Sequence, residues 1–113
     1  MKNPKELYFV LRKKYFMEIL KGEKKEEYRY FNDFYISRLC ETDKDGEILG
    51  MKEYDTVRFQ LGYSKNAPQI VVEVKSVFIE SEDEEAEEYT SENCNFVIEL
   101  GNIVDQTNCE DLL

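Results

Sequence analysis

The run Gln69 to Ile79, QIVVEVKSVFI, is the strongest strand signal in the chain and limits what it can fold into. Ile70, Val72 and Val74 fall on one face of an extended segment, and Val71, Glu73 and Lys75 on the other. The apolar run Val77-Phe78-Ile79 breaks the alternation, which predicts a bulge or bend near Ser76. A sheet built on such a strand must curve. Two shorter segments share its character. Glu6 to Leu11 (ELYFVL) is a compact apolar run, and Thr56 to Leu61 (TVRFQL) alternates Val57, Phe59 and Leu61 with polar partners. A last strand is predicted from Asn93 to Leu100, with Phe96, Ile98 and Leu100 on one face and Gly101 as its stop. The tail from Asn102 to Leu113 reads as a short helix or as disorder.

Between the strands the period changes. Tyr15, Phe16, Ile19 and Leu20 make one face of a helix over Arg12–Lys21. Gly22 stands where a left-handed residue ends a helix at little cost. Lys13 and Lys14 sit at the start of that helix, where the macrodipole disfavours cations; they either serve another purpose or are simply solvated. Asn32 or Asp33 can cap a second short helix, Phe34 to Cys40. Thr42 to Gly50 (TDKDGEILG) reads as a turn-rich loop. The predicted order is β-α-β-α-β-β-loop-β, without a Rossmann-type βαβ run or an internal repeat. The fold class is α+β: a mostly antiparallel, strongly curved sheet or small barrel flanked by two helices.

The 113 residues make one domain, with its core at about residues 5–104, an acidic loop at 80–92 and a tail at 105–113. Hydrophobic residues are 42% and charged residues 35%, which is charge-rich but adequate for one core without staples. The three cysteines, Cys40, Cys94 and Cys109, show no CxxC spacing, which argues against a disulfide scaffold or a zinc site. There is no histidine, so any general acid or base must be Asp, Glu, Lys, Tyr or Cys. No cofactor or metal is expected. Asp43, Asp45 and Gly46 imitate part of a calcium loop, but Lys52 occupies its twelfth position and a turn explains the segment better. No signal peptide or membrane span is visible, which places the protein in the cytoplasm as an expectation.

The net charge of −10 is unevenly spread: residues 1–29 carry +4, residues 30–75 carry −2, and residues 76–113 carry −12 with no Lys or Arg. Such a protein is repelled by nucleic acid at long range, so binding would have to be local, on a face made by the first third. The acidic tract Glu80–Glu92 reads as a solvated face or mobile loop, with capture of a basic protein partner as the alternative.

One strand is anomalous. Within the stretch Gly22 to Tyr30, GEKKEEYRY, Lys24–Tyr30 reads as the second strand, following the helix directly and placing Glu27 and Arg29 on one face, with Lys25 at its start. Glu26, Tyr28 and Tyr30 take the other face. Lys24 sits at the turn, where it can point along a groove. Either this is a charged edge strand in solvent or it is a polar cluster able to hold an amide-bearing base or a phosphate. The loop Gly62 to Pro68 is likewise open: a plain turn, or a stacking face from Tyr63 and a phosphate contact from Lys65.

The residues Tyr15-Phe16…Ile19…Gly22-Glu23-Lys24…Glu27-Tyr28-Arg29 resemble the signature of ASCH domains of the PUA-like superfamily, an aromatic-bearing helix followed by GxKxxExR. Phe34-Tyr35…Arg38-Leu39, Tyr54-Asp55-Thr56-Val57, Gly62-Tyr63, Pro68 and the closing Phe96…Ile98…Leu100-Gly101 are similar to a bacterial and phage branch of that family. The resemblance implies a small β-barrel with a cleft between barrel and helices that binds single-stranded RNA or a modified nucleoside or nucleotide. Lys24 and Arg29 would contact phosphate or base acceptors, and Glu27 would accept from an exocyclic amine. Tyr28, Tyr35 or Tyr63 would stack, and Arg38 and Lys65 would rim the cleft. Some members resemble metal-independent amidohydrolases of N4-acetylcytidine, in which Lys24 would be the reactive group and Glu27 would relay protons. Those enzymes carry a hydroxyl residue where this chain has Glu27.

Overall fold

The computed structural model describes residues 5–83, 85 and 87–112. The outermost positions of the predicted domain, 1–4 and 113, and positions 84 and 86 of the acidic tract lie outside the described residues. The chain forms β1 (Glu6–Leu11), α1 (Lys13–Leu20), β2 (Glu26–Tyr30), α2 (Asp33–Leu39), β3 (Cys40–Thr42), β4 (Ile48–Met51), β5 (Thr56–Leu61), β6 (Gln69–Ser81) and β7 (Cys94–Thr107). The main sheet has the order β1-β5-β6-β7-β2, and β3 and β4 form a separate hairpin. Its one parallel neighbour pair is β1 with β5; the other three are antiparallel. The molecule is therefore mixed α+β, with a five-stranded sheet curled into a half-barrel and two helices.

The inner face of the sheet follows from the pleat. Leu7, Phe9 and Leu11 of β1 lie opposite Val57, Phe59 and Leu61 of β5, and Ile70 and Val72 of β6 continue the row. Phe96, Ile98 and Leu100 of β7 join them, and α1 closes over this surface with Phe16, Ile19 and Leu20. Burial of these side chains, at about 25 cal/mol per Å² of apolar surface, is the main force holding the helix to the sheet. α1 ends as its sequence requires: Gly22 takes φ 77°, and the Lys21 and Gly22 amides donate back to the Met17 and Ile19 carbonyls. α2 is capped by Asn32, whose side-chain oxygen accepts from the Tyr35 amide at 3.0 Å.

Three expectations need correction. The segment Thr42–Gly50 is not all loop: Thr42 closes β3 and Ile48–Gly50 belong to β4, and only Asp43–Glu47 forms the turn, where Asp43 Oδ1 accepts from the Asp45 and Glu47 amides and Gly46 takes φ 85°. Those strands are three and four residues long with few buried side chains, so their apolar signal is weak. Gly101 does not end β7, which continues to Thr107 through part of the predicted tail. Its role is close approach: a Cβ there would lie 3.0 Å from Glu73 Cβ, while Glu73 Oε1 accepts from the Asn102 amide at 3.0 Å. The bend expected near Ser76 is spread along the strand, with register shifts between Val71 and Val72, Val72 and Val74, and Val74 and Ser76. These irregularities let strands of 13 and 14 residues coil round the core.

Among the described residues, no helix is long and apolar enough to cross a membrane.

Candidate functional site

β1 and β2 are the two edges of the curled sheet, and the gap between them is where the half-barrel stays open. The β2 register with β7 decides what lines that gap. Glu27 lies opposite Ile98 and Arg29 opposite Phe96, so the two charged side chains share the inner face with core residues. Lys24 arrives by way of the helix end: its amide and that of Glu23 both donate to the Glu18 carbonyl, and the Lys25 carbonyl then accepts from the Leu100 amide on β7. That last bond anchors β2 on the sheet.

Glu27 is only 6% exposed and is the one buried charged residue among those described. Lys24 Nζ lies 3.8 Å from Glu27 Oε1, and Arg29 Nε lies 4.0 Å from the same oxygen. Both distances exceed hydrogen-bonding range. Oε1 also accepts from the Tyr28 amide at 3.2 Å. Arg29 is held from below: its guanidinium lies 4.4 Å over the Phe9 ring and 5.7 Å from that of Tyr35, and Nη1 donates to the Tyr35 hydroxyl oxygen at 3.2 Å. Lys24 Nζ sits 4.6 Å over the Tyr15 ring. Each cation thus has an aromatic platform and faces one carboxylate without closing on it.

These groups open onto a cleft of about 600 Å³, whose walls include Leu11, Arg12 and Tyr15 on one side and Lys24, Glu27 and Arg29 on the other, with Tyr35 also lining it. Glu27 Oε2 and Arg29 Nε are buried and have no hydrogen-bond partner among the described residues. Leaving a buried polar atom unpaired costs about 1–3 kcal/mol, more when it is charged. A bridging polar atom could hydrogen-bond a cation and the carboxylate together, because their separations are too long for direct bonding. The arrangement can therefore donate to a bound molecule from Lys24 or Arg29 and flank it with tyrosine rings; Oε2, buried as it stands, would accept an N–H from that molecule once the carboxylate turns toward the cleft.

Of the residues singled out in the sequence, Lys24, Glu27, Tyr28, Arg29 and Tyr35 line this cleft. Tyr28 shares the outward-facing side of β2 with Glu26. Its hydroxyl donates to Glu26 Oε1 at 3.0 Å, which pushes the phenol above its ordinary range, with burial and the Glu26 and Glu80 charges adding to the effect. Its amide, by contrast, reaches Glu27 at the open strand edge. Arg38, Tyr63 and Lys65 are not part of the lining. Arg38 lies 4.7 Å over the Phe34 ring, Tyr63 is 88% exposed in the β5–β6 loop, and Lys65 is exposed beside it. Arg12, Tyr15 and the Phe9 platform were missed. Tyr15 reads as part of an apolar helix face, but it lies at the edge of that face and is exposed. Arg12 had one available signal, a cationic residue where a helix cap is expected. No group of Cys, Asp or Glu side chains able to hold a metal occurs among the described residues.

In comparisons with known proteins, the chain matches no family model, no curated protein and no solved structure.

Proposed function

We propose that the cleft between β1 and β2 binds a single nucleobase, either as a free modified nucleoside or nucleotide or at an unpaired position of RNA, on a PUA-like fold of the ASCH type. The observation that carries this reading is the Glu27 carboxylate: buried, set between Lys24 and Arg29, and left with an unpartnered oxygen beneath the wall of an open cleft. A carboxylate there accepts from an exocyclic amine, as acidic side chains do with cytosine N4. Lys24 or Arg29 donates to the neighbouring ring carbonyl. Tyr15 and Tyr35 line the same cleft and offer ring faces to a planar ligand. A cleft of about 600 Å³ falls in the usual range for small-molecule sites.

The test is titration with nucleosides and short unpaired RNAs at low salt, followed by tyrosine fluorescence or amide chemical shifts. Binding should weaken at least about tenfold in Glu27→Gln and in Lys24→Ala. Unchanged binding in both variants removes the site.

A hydrolytic reading has one observation in its favour. Glu27 Oε2 is a buried, unpartnered carboxylate oxygen on the same side chain whose Oε1 lies 3.8 Å from the Lys24 amine, a pair that would orient and deprotonate a water once the carboxylate turns toward the cleft. Incubation with N4-acetylcytidine at high protein concentration, monitored for cytidine and acetate, decides it; the absence of product leaves binding alone.

A further inference from the structure

The cleft has a second pole that a neutral base would not use. α1 begins at its mouth, and the N-cap residue there is Arg12, with φ −72° and ψ 156° and no side-chain hydrogen bond to the helix. No acidic residue stands in the first turn, where Lys13 and Lys14 follow instead. All three cations are exposed. Helix N-termini favour Ser, Thr, Asp or Asn as caps and acidic groups in the first turn, because the leading amides and the macrodipole both seek negative charge. This helix meets neither preference and adds three positive charges. An anion from outside the chain would satisfy the leading amides and the dipole together with Arg12, the one of these three cations that lines the cleft.

The same cleft holds Glu27, whose buried, unpartnered Oε2 requires a donor and whose charge is already faced by Lys24 and Arg29. The two poles therefore ask for different parts of one molecule. We propose, resting on the nucleobase reading above, that the ligand is a phosphorylated nucleotide. Its phosphate lies on Arg12 and the α1 N-terminus, and its base presents an N–H donor to Glu27. A free nucleoside fills only the inner half.

The experiment compares cytidine, cytidine 5′-monophosphate and inorganic phosphate on the full chain, by amide chemical shifts and calorimetry at low salt. The monophosphate is expected to bind at least about tenfold more tightly than cytidine, a difference of about 1.4 kcal/mol. That advantage should shrink as salt rises. Inorganic phosphate alone should shift the amides of Lys13, Lys14 and Tyr15. Arg12→Asp supplies the chain with its own cap and should remove both the monophosphate advantage, read as the ratio of the two affinities in the same variant, and the phosphate shifts. Arg12→Gln, which removes charge without adding a competing acid, should reduce the advantage without abolishing it. Equal affinity for cytidine and its monophosphate, or an advantage that survives Arg12→Asp, overturns the phosphate subsite and leaves the nucleobase reading intact. If neither compound binds, the phosphate subsite falls, and the nucleobase reading stands or falls on the titrations with modified nucleosides and unpaired RNAs above.

Discussion

Replacing Glu27 by glutamine separates a residue kept for binding from one kept for stability. The side chain keeps its shape, and its Oε1 can still accept from the Tyr28 amide, so the change is chiefly loss of charge. In the native protein the carboxylate faces Lys24 at 3.8 Å and Arg29 at 4.0 Å. At an effective dielectric constant of about 20, each contact is worth about 4 kcal/mol of gross attraction. Against this stands the desolvation of a carboxylate that is 6% exposed, itself several kcal/mol, and the unpaired Oε2, about 1–3 kcal/mol. The terms nearly cancel. Both cations also retain alternatives, since Lys24 lies over Tyr15 and Arg29 bonds Tyr35 and stacks on Phe9. Urea denaturation followed by far-ultraviolet circular dichroism should therefore show a stability change within about 1 kcal/mol at unchanged m-value. Ligand binding should fall at least about tenfold in the same variant. Destabilisation beyond about 3 kcal/mol would identify the carboxylate as the structural partner of a buried ion pair and refute the balance drawn from these distances.

Gly101→Ala should lower stability by about 1–3 kcal/mol, because the new methyl meets Glu73 Cβ at 3.0 Å; Glu73→Ala in the same chain should recover part of the loss in urea melts. Burial pushes the Tyr54 phenol up, Arg38 opposing it and Glu41 adding to it. Its folded value thus lies above the unfolded one, so its contribution is complete below pH about 10 and disappears as pH rises through the folded value. Tyr54→Phe should flatten the stability profile in that alkaline window, and an unchanged profile would rule this cause out. Burial likewise pushes the Cys40 and Cys109 thiols up, and Cys94 is also buried, so native protein should react slowly with a disulfide reagent near pH 8 and all three thiols rapidly in denaturant.

Local chemistry was largely legible along the chain. β1 and β5 have the residues read from a compact apolar run and from apolar alternation, and α1 stops just before Gly22 because no other residue takes φ 77° at so little cost. The spacing of Glu27 and Arg29 places them on one side of an extended strand wherever that strand lies. Which side faces inward was not legible. By polarity alone EEYRY would bury Tyr28 and Tyr30 and leave Glu27 and Arg29 in water. Pairing with β7 does the reverse, placing Glu27 beside Ile98 and Arg29 beside Phe96. Gly101 likewise reads as a strand end and serves as a contact point, because the Glu73 that crowds it lies 28 positions away.

Periodicity along one strand sets which residues travel together, and that much the amino-acid order determined by itself. The inward direction depends on a neighbour distant in sequence, and the open gap depends on β1 and β2 both being edges. Only tertiary packing could therefore draw Arg12 and Tyr15 into the cleft and leave Arg38, Tyr63 and Lys65 outside it.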